Sequence, residues 1–415
     1  MSAFTDRRFR RLYIGDALSG FGDTALLLVL GIWVKNLTGS SSAAGAVFLA
    51  TGLPALFAPL AGRLIDRVRR RRLLIVTNVL AALSVLALLL VHGRAQVPVI
   101  FAVAIAYGSA LTVLGPARNA LIKDMLPDTD LGSANAAFGT LTGFTRILAP
   151  LAGSAIYAVT GGHVLAVLDA SSFLAAIVAL STVRVAESDP EPASGRFGAE
   201  TLAGLRYIWS VPLLARVTIV SAIAFGTVGF LEPMIFVVIQ HGLHRPPTFF
   251  GVIASLEGAG AIVAGITGAR LLRAAGEARV VGGALAGLAL ASLTLAVRSV
   301  YPVIAGAVAG GAAITWFAIA WNTALQRRTP PRLQGRVFTT AGVMITVPQT
   351  VSIGLGAALI AVVDYRILLA VLAVVTALCG LWLLTRPAAE QEAVPVPPPG
   401  GEKAEPEPAA NEARN

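Results

Sequence analysis

Runs of apolar residues about as long as a bilayer is thick recur from one end of this chain to the other. A spanning helix needs about 20 mostly apolar residues. Twelve such runs are found, at about 12–34, 43–65, 73–92, 97–117, 135–160, 163–184, 211–238, 248–271, 279–297, 302–325, 337–363 and 367–385. The expected fold class is therefore an all-α integral membrane protein with twelve transmembrane helices. Hydrophobic residues make up 56% and charged residues 13%, whereas soluble domains carry roughly 25% charged residues. The first run is long and lacks a cleavage context, so it reads as a span and not as a removed signal.

The net charge of +10 suggests nucleic acid until its distribution is considered. Of the 32 Lys and Arg, 26 fall in the N-terminal segment, in the loops after even-numbered runs or the run ends that flank them, or in the tail. Lys35, Arg94, Arg245, Arg298 and Arg366 fall on the other side, and Arg146 lies inside the fifth run. Basic residues mark the cytoplasmic side, so both termini are expected there, in a multi-pass protein of the cell membrane. Anionic lipid headgroups suit this charge better than nucleic acid does.

The chain reads as a duplication. A shift of 204 residues lays Phe21-Gly22 on Phe225-Gly226, Ala120-Leu121 on Ala324-Leu325 and Pro127 on Pro331. The expected organisation is a six-helix half at 1–184, a linker at 185–210, a second six-helix half at 211–386 and a disordered tail at 387–415. The linker carries Pro190 and Pro192, then Leu202, Leu205 and Ile208 at the spacing of a surface helix.

Several chemistries are excluded by residue order. Lys35, Lys123 and Lys403 follow Val34, Ile122 and Glu402, so no phosphate-binding Gly-Lys-Ser/Thr loop exists. The single cysteine, Cys379, excludes an internal disulfide and a cysteine-rich metal site. His92, His163, His241 and His244 fall in or near outer loops. No enzyme, cofactor or metal site is expected. Gly258 and Gly260 read as close helix packing.

Ionisable residues inside a membrane are costly and are functional candidates by default. Asp16, Ser19 and Asp23 share one face of the first span. Asp16 lies near the interface, where pairing with loop arginines is the competing structural reading. Asp23 lies near the bilayer centre. Glu232 precedes Pro233 in the seventh span, Asp169 lies in the sixth, and Glu257 is near mid-depth in the eighth. Arg146 is followed by Ala149-Pro150-Leu-Ala-Gly153 in the fifth. The proline is expected to kink that helix, and Gly153 to admit a close neighbour.

Two motifs connect the chain with a known class. Gly62-Arg-Leu-Ile-Asp66-Arg67-Val-Arg-Arg-Arg71-Arg72 resembles the loop G-x-x-x-D-R-x-G-x-R-R between helices 2 and 3 of the major facilitator superfamily, with Arg69 at the usual glycine. Pro116-Ala-Arg118-Asn-Ala-Leu-Ile-Lys-Asp124-Met-Leu-Pro127 and Asn322-Thr-Ala-Leu-Gln326-Arg-Arg-Thr-Pro-Pro331 resemble the helix 4–5 and helix 10–11 connections of its enterobactin-exporter and macrolide-efflux branch. The Ala149-Pro150…Gly153 segment is similar to the G-P-x-x-G element of exporters in that class.

The resemblance implies a proton-coupled exporter of an amphipathic small molecule, working by alternating access as a monomer. Under it, Asp23, Glu232 and Asp16 would carry the proton or cation. Gly62, Asp66, Arg67, Arg71 and Arg336 would form a conformational switch, with Asp66 meeting the start of the eleventh span. Arg146 would face Glu257 across the seam between helices 5 and 8. Tyr107, Thr112, Phe225, Thr315, Trp316, Asn322 and Gln349 would line the substrate cavity. The alternatives are an importer or uniporter of a small metabolite, and a membrane sensor that moves nothing.

Overall fold

Each of the twelve apolar runs falls on helix in the computed structural model, which describes residues 2–185, 187, 197–330 and 333–385. Pro190, Pro192 and the tail after Pro387 lie outside the described residues. The order is α1 (Arg7–Thr38), α2 (Ser41–Gly52), α3 (Ala58–Arg67), α4 (Arg70–Leu86), α5 (Val97–Met125), α6 (Asp128–Thr160), α7 (Gly162–Thr182) and α8 (Phe197–Ser210). It continues with α9 (Pro212–Val228), α10 (Leu231–Val237), α11 (Phe250–Ala275), α12 (Glu277–Thr294), α13 (Val300–Arg328), α14 (Gln334–Leu359) and α15 (Tyr365–Leu384). Ten helical segments among the described residues are long and apolar enough to cross a membrane, and Ser41–Phe57 is a shorter apolar one.

Two of the runs are broken, both beside proline. The second divides into α2 and α3 around a 3₁₀ turn, Leu53–Phe57, that contains Pro54. The seventh divides at Gly229-Phe230, just before Pro233, which has no N–H to continue the helical ladder. α1 ends at Gly39, whose φ of 73° is open to glycine at little cost. Lys35 folds back over that turn and donates to the Gly39 carbonyl at 2.8 Å and Ser41 Oγ at 2.7 Å.

The helices form two packing groups, α1–α7 and α9–α15, joined along α6–α11, α2–α14 and α2–α10. One end of the bundle carries the basic loops and the start of α1, and is called here the basic end. At the far end a single apolar core runs through both groups, from Leu30 and Val47 to Met234, Phe236 and Leu369. Phe48 packs between Phe236 and Phe250, with ring centroids 6.2 and 6.0 Å away. A side chain on Gly45 would strike Pro233, and Ser42 Oγ donates to the Ala357 carbonyl. At the basic end the cores separate. Phe9, Leu74 and Leu121 pack in one group; Ile208, Leu325 and Val337 pack in the other. The halves are thus closed at the far end, with their apolar cores parted at the basic end.

α8 meets the expectation of a surface helix in part. Ile208 is buried against α13 and α14, Leu205 is half-buried and Leu202 is exposed. Gly204 lies against the Arg336 carbonyl, and Tyr207 Oη donates to the Arg328 carbonyl at 2.6 Å.

Candidate functional site

Two polar cavities lie inside the bundle among the described residues, one within the first group and one where α6 of the first group meets the second. The first, of about 160 Å³, is lined by Asp16, Ser19 and Asp23 of α1, Asn78 of α4, Arg118 of α5 and apolar neighbours. Their i, i+3, i+7 spacing puts Asp16, Ser19 and Asp23 on one face. Tyr107 Oη donates to Asp23 Oδ1 at 2.5 Å. Asp16 is bound to Arg118, Nη1 to Oδ2 at 2.7 Å, and that guanidinium also lies over the Phe138 ring at 4.6 Å. The arginine comes from the helix 4–5 motif and not from the loop after α3.

Asp169 of α7 is the most deeply buried carboxylate of this group, at 1% exposure. Its Oδ1 occupies the space where a side chain on Gly22 would stand. Ser172 Oγ is 3.4 Å from Oδ1, and Oδ2 has no hydrogen-bond partner among the described residues. The absence of a side chain at Gly22 therefore lets α7 bring a second carboxylate next to the Asp23 turn. Phe173 packs on the Tyr107 ring, centroids 6.2 Å apart, and holds the phenol in place.

The second cavity, of about 360 Å³, contains Arg146, Phe225, Glu232, Glu257, Ser292 and Gln349 among apolar residues of α9, α11, α12 and α13. The sequence marks five of these for three separate roles; the fold brings them to one place. Phe225 is fixed against Phe317, ring centroids 4.7 Å apart. Arg146 and Glu257 face the same open space, and no ion pair joins them among the described residues. Their backbones do meet. The carbonyl of Arg146 loses its normal donor to Pro150 and lies against Gly258, where an added Cβ would be 2.7 Å from it. Ser255 Oγ donates to the next carbonyl, Ile147, at 2.5 Å. Gly251 admits the Pro150 carbonyl in the same way, and Gly260 packs on Val308. The glycines of α11 thus serve helix packing, as expected, and Gly153 of α6 meets Ala25 of α1.

The remaining expected cavity residues do not gather there. Tyr107 is 1% exposed and serves Asp23 instead of an open surface. Thr112 lines a separate groove with Phe57 and Leu64 and bonds within its own helix to the Ser109 carbonyl. Trp316 donates to Thr267 at 3.0 Å, and Asn322 bonds the Ala318 carbonyl one turn back. Thr315 Oγ1 is buried without a partner. The helical period aims these side chains away from the cavity that Ile314 reaches.

The loop after α3 is only partly engaged. Arg71 clamps the end of α7, donating to the Leu180 and Ser181 carbonyls, each at 2.7 Å. Cations belong at a helix C-terminus, so Arg71 is an anchor within its own group. Gly62 has open space around it, because the helices it was expected to meet are apart at this end. Arg67 and Arg336 are exposed, and the Asp66 side chain lies outside the described residues. Sequence reasoning passed over Arg70, which pairs with Asp124 at 2.5 Å, and Glu277, which pairs with Arg327 at 3.0 Å and Arg328 at 3.8 Å. It also passed over Asn78 and Ser292, polar residues within apolar runs.

The family model described as Major Facilitator Superfamily matches residues 12–244 and 217–411. The chain belongs to that superfamily. It is thus a multi-pass membrane transporter that acts on small molecules. It is similar to the multidrug efflux pump Tap of Mycolicibacterium fortuitum, 30% identical over 244 residues, a match covering 54% of this chain and 58% of that protein. It is also similar to the MFS-type transporter YfiS of Bacillus subtilis, 23% identical over 79% of this chain and 80% of the relative. Among solved structures, a bacterial homologue of the iron transporter ferroportin, in an inward-facing state, superposes with a TM-score of 0.72. It is 16% identical and is covered to 99%, with 92% of this chain. The nucleoside transporter NupG gives a TM-score of 0.72 at 13% identity, covering 94% of this chain and 100% of that one. These likenesses establish the Major Facilitator fold.

Proposed function

We propose that this Major Facilitator protein is a proton-coupled exporter of an amphipathic small molecule, such as a drug, antibiotic or siderophore. The observation that carries the reading is the cavity of about 360 Å³ with Glu232, Glu257 and Arg146 set into an otherwise apolar and aromatic wall. Such a wall takes up a hydrophobic body, and a few placed polar groups hold its charged or polar part. The efflux activity named for the relative Tap supports the direction.

In this reading all twelve runs cross the cell membrane as a monomer, in two six-helix halves joined by the segment at 185–210. Both termini and the basic end face the cytoplasm. The parted cores then make this the inward-facing state, ready to load substrate from inside. Asp23, held by Tyr107 and neighboured by Asp169, is the proton site of the first half; Glu232 is an accessory site in the second. Asp16, neutralised by Arg118, has mainly a structural part. A carboxylate in a low-dielectric site is costly as an ion without a partner. Taking up a proton from one side and releasing it to the other couples the gradient to the rocking of one half against the other. Asp66 and Arg336 would meet when the basic end closes.

The test is transport by purified protein in liposomes, with an imposed pH gradient and a panel of dyes, antibiotics and siderophores. Proton-dependent movement out of the compartment facing the basic end supports the proposal. Gradient-independent equilibration would make it a uniporter, and movement the other way an importer. No movement of any compound would favour a sensor.

A further inference from the structure

We infer that the loop joining α3 to α4 forms a binding site for the phosphate of an acidic phospholipid. Four consecutive arginines, Arg69 to Arg72, would ordinarily be read as one basic patch here. The structure divides them. Arg70 is committed to Asp124 and Arg71 to the last carbonyls of α7. Arg69 and Arg72 remain, with Arg67 from the end of α3. All three are exposed, and none of their side chains makes a hydrogen bond or ion pair among the described residues. They line one open groove of about 450 Å³, together with Val68, Leu73 and Val76.

The chemistry of that groove is specific. Three arginines line one groove where a helix begins, although a helix N-terminus already carries partial positive charge. The first turn of α4 has no acidic residue of its own and Arg69 does not cap it; the Glu187 carboxylate accepts from the Arg71 N–H at 3.3 Å, outside the groove. Nothing among the described residues of the groove offsets this concentration of charge, and a phosphate matches the planar donors of arginine. The apolar floor excludes a purely aqueous anion as the best fit. From Val76 the exposed face continues along α4 through Leu80 and Leu83, at 48%, 61% and 60% exposure. Arg72 to Leu83 spans about 16 Å at the helical rise, about half of a roughly 30 Å hydrocarbon core. A headgroup on the arginines would therefore lay its acyl chains on one leaflet's depth of α4. Arg69, which replaces the glycine of the related loop pattern, supplies one of the three donors.

The experiment uses the full chain in nanodiscs of phosphatidylethanolamine doped with phosphatidylglycerol. Retained phosphatidylglycerol is counted by native mass spectrometry after transfer to detergent. Arg67→Gln, Arg69→Gln and Arg72→Gln together are expected to weaken retention roughly a hundredfold, from about a fivefold effect for each surface arginine. A control that removes three equally exposed charges elsewhere at the basic end, Arg10→Gln, Arg273→Gln and Arg279→Gln, is expected to retain the lipid. Equal loss in both variants, or in neither, would overturn the site. Inorganic phosphate in excess should fail to displace the lipid; displacement would assign the groove to free anions instead. If the groove variant does not fold, photo-crosslinkable phosphatidylglycerol on the unaltered protein decides the matter. Labelling within residues 67–83 supports the site, and labelling only elsewhere rejects it.

Discussion

Tyr107 of α5 donates its phenolic proton to Asp23 of α1 at 2.5 Å, across the interior of the first packing group. The bond fixes a carboxylate that sits at mid-helix and beside an open cavity. It also ties a helix expected to line the transport pathway to the residue proposed to sense the proton gradient.

Asp23→Asn keeps the shape and removes the ionisation. Proton-driven transport in liposomes should fall at least about tenfold, the rate effect of a 1.4 kcal/mol change, while membrane insertion stays normal. Tyr107→Phe should be intermediate in the same assay. It removes one hydrogen bond to a charged group, worth about 1.5–3 kcal/mol. Transport by Asp23→Asn equal to the parent would remove that residue from the coupling step.

Glu257 and Arg146 line one cavity without being ion-paired, so each is available to substrate. Glu257→Gln should weaken export of cationic dyes about tenfold or more and leave neutral ones within about threefold. Arg146→Gln should do the same to anionic compounds. Competition assays across a charge-varied panel read this directly. A uniform loss for every charge class would mean a packing role instead.

The seam between α6 and α11 depends on having no side chain at position 258. Gly258→Val would place its Cβ 2.7 Å from the Arg146 carbonyl. Overpacking costs about 1–3 kcal/mol, and the penalty falls on the far-end closed state. Cysteines introduced along the far half of α6 should become more reactive to impermeant reagents, with transport reduced. Unchanged reactivity would show that the seam absorbs the group.

Asp16 and Arg118 are about one-quarter exposed, 28% and 26%. A double-mutant cycle with Asp16→Asn and Arg118→Gln should give a coupling of about 1 kcal/mol, between the values for surface and buried pairs. Thermal unfolding in detergent measures it. A coupling near zero, with transport lost in Asp16→Asn alone, would make Asp16 a transport residue.

The apolar runs are legible in the sequence because lipid imposes one length and one composition on every crossing. The breaks in the second and seventh runs are not, although Pro54 and Pro233 stand in them. The polar stripe Asp16, Ser19, Asp23 is visible because helical period alone puts it on one face. Its partners are not. Tyr107 reads as cavity wall, and only the packing of α5 on α1 and Phe173 turns it towards Asp23. Glu232, Glu257, Arg146, Phe225 and Gln349 each stand out separately, and their common cavity depends on how α6 seats against α11. That seating follows from glycines whose tertiary neighbours no local pattern names. Thr112, Trp316 and Asn322 lie outside that cavity, because a polar residue on a suitable helix reaches it only from the face turned towards it.

Two of the ion pairs towards the basic end, one in each packing group, have opposite polarity. In the first group the cation, Arg70, starts α4 and the anion, Asp124, ends α5. In the second the anion, Glu277, starts α12 and the cation, Arg328, ends α13, with Arg328 lying at the duplication shift from Asp124. A chain with two similar packing groups faces a hazard during insertion, since helices from one group can dock into the slot of the other. With like polarity, a misplaced α12 beside α5 would still find its salt bridge. With reversed polarity it brings Glu277 to Asp124, and the counterpart error brings Arg70 to Arg328. Each wrong assembly would set like charges together in a partly buried place, a repulsion that disfavours exchange of helices between the two packing groups.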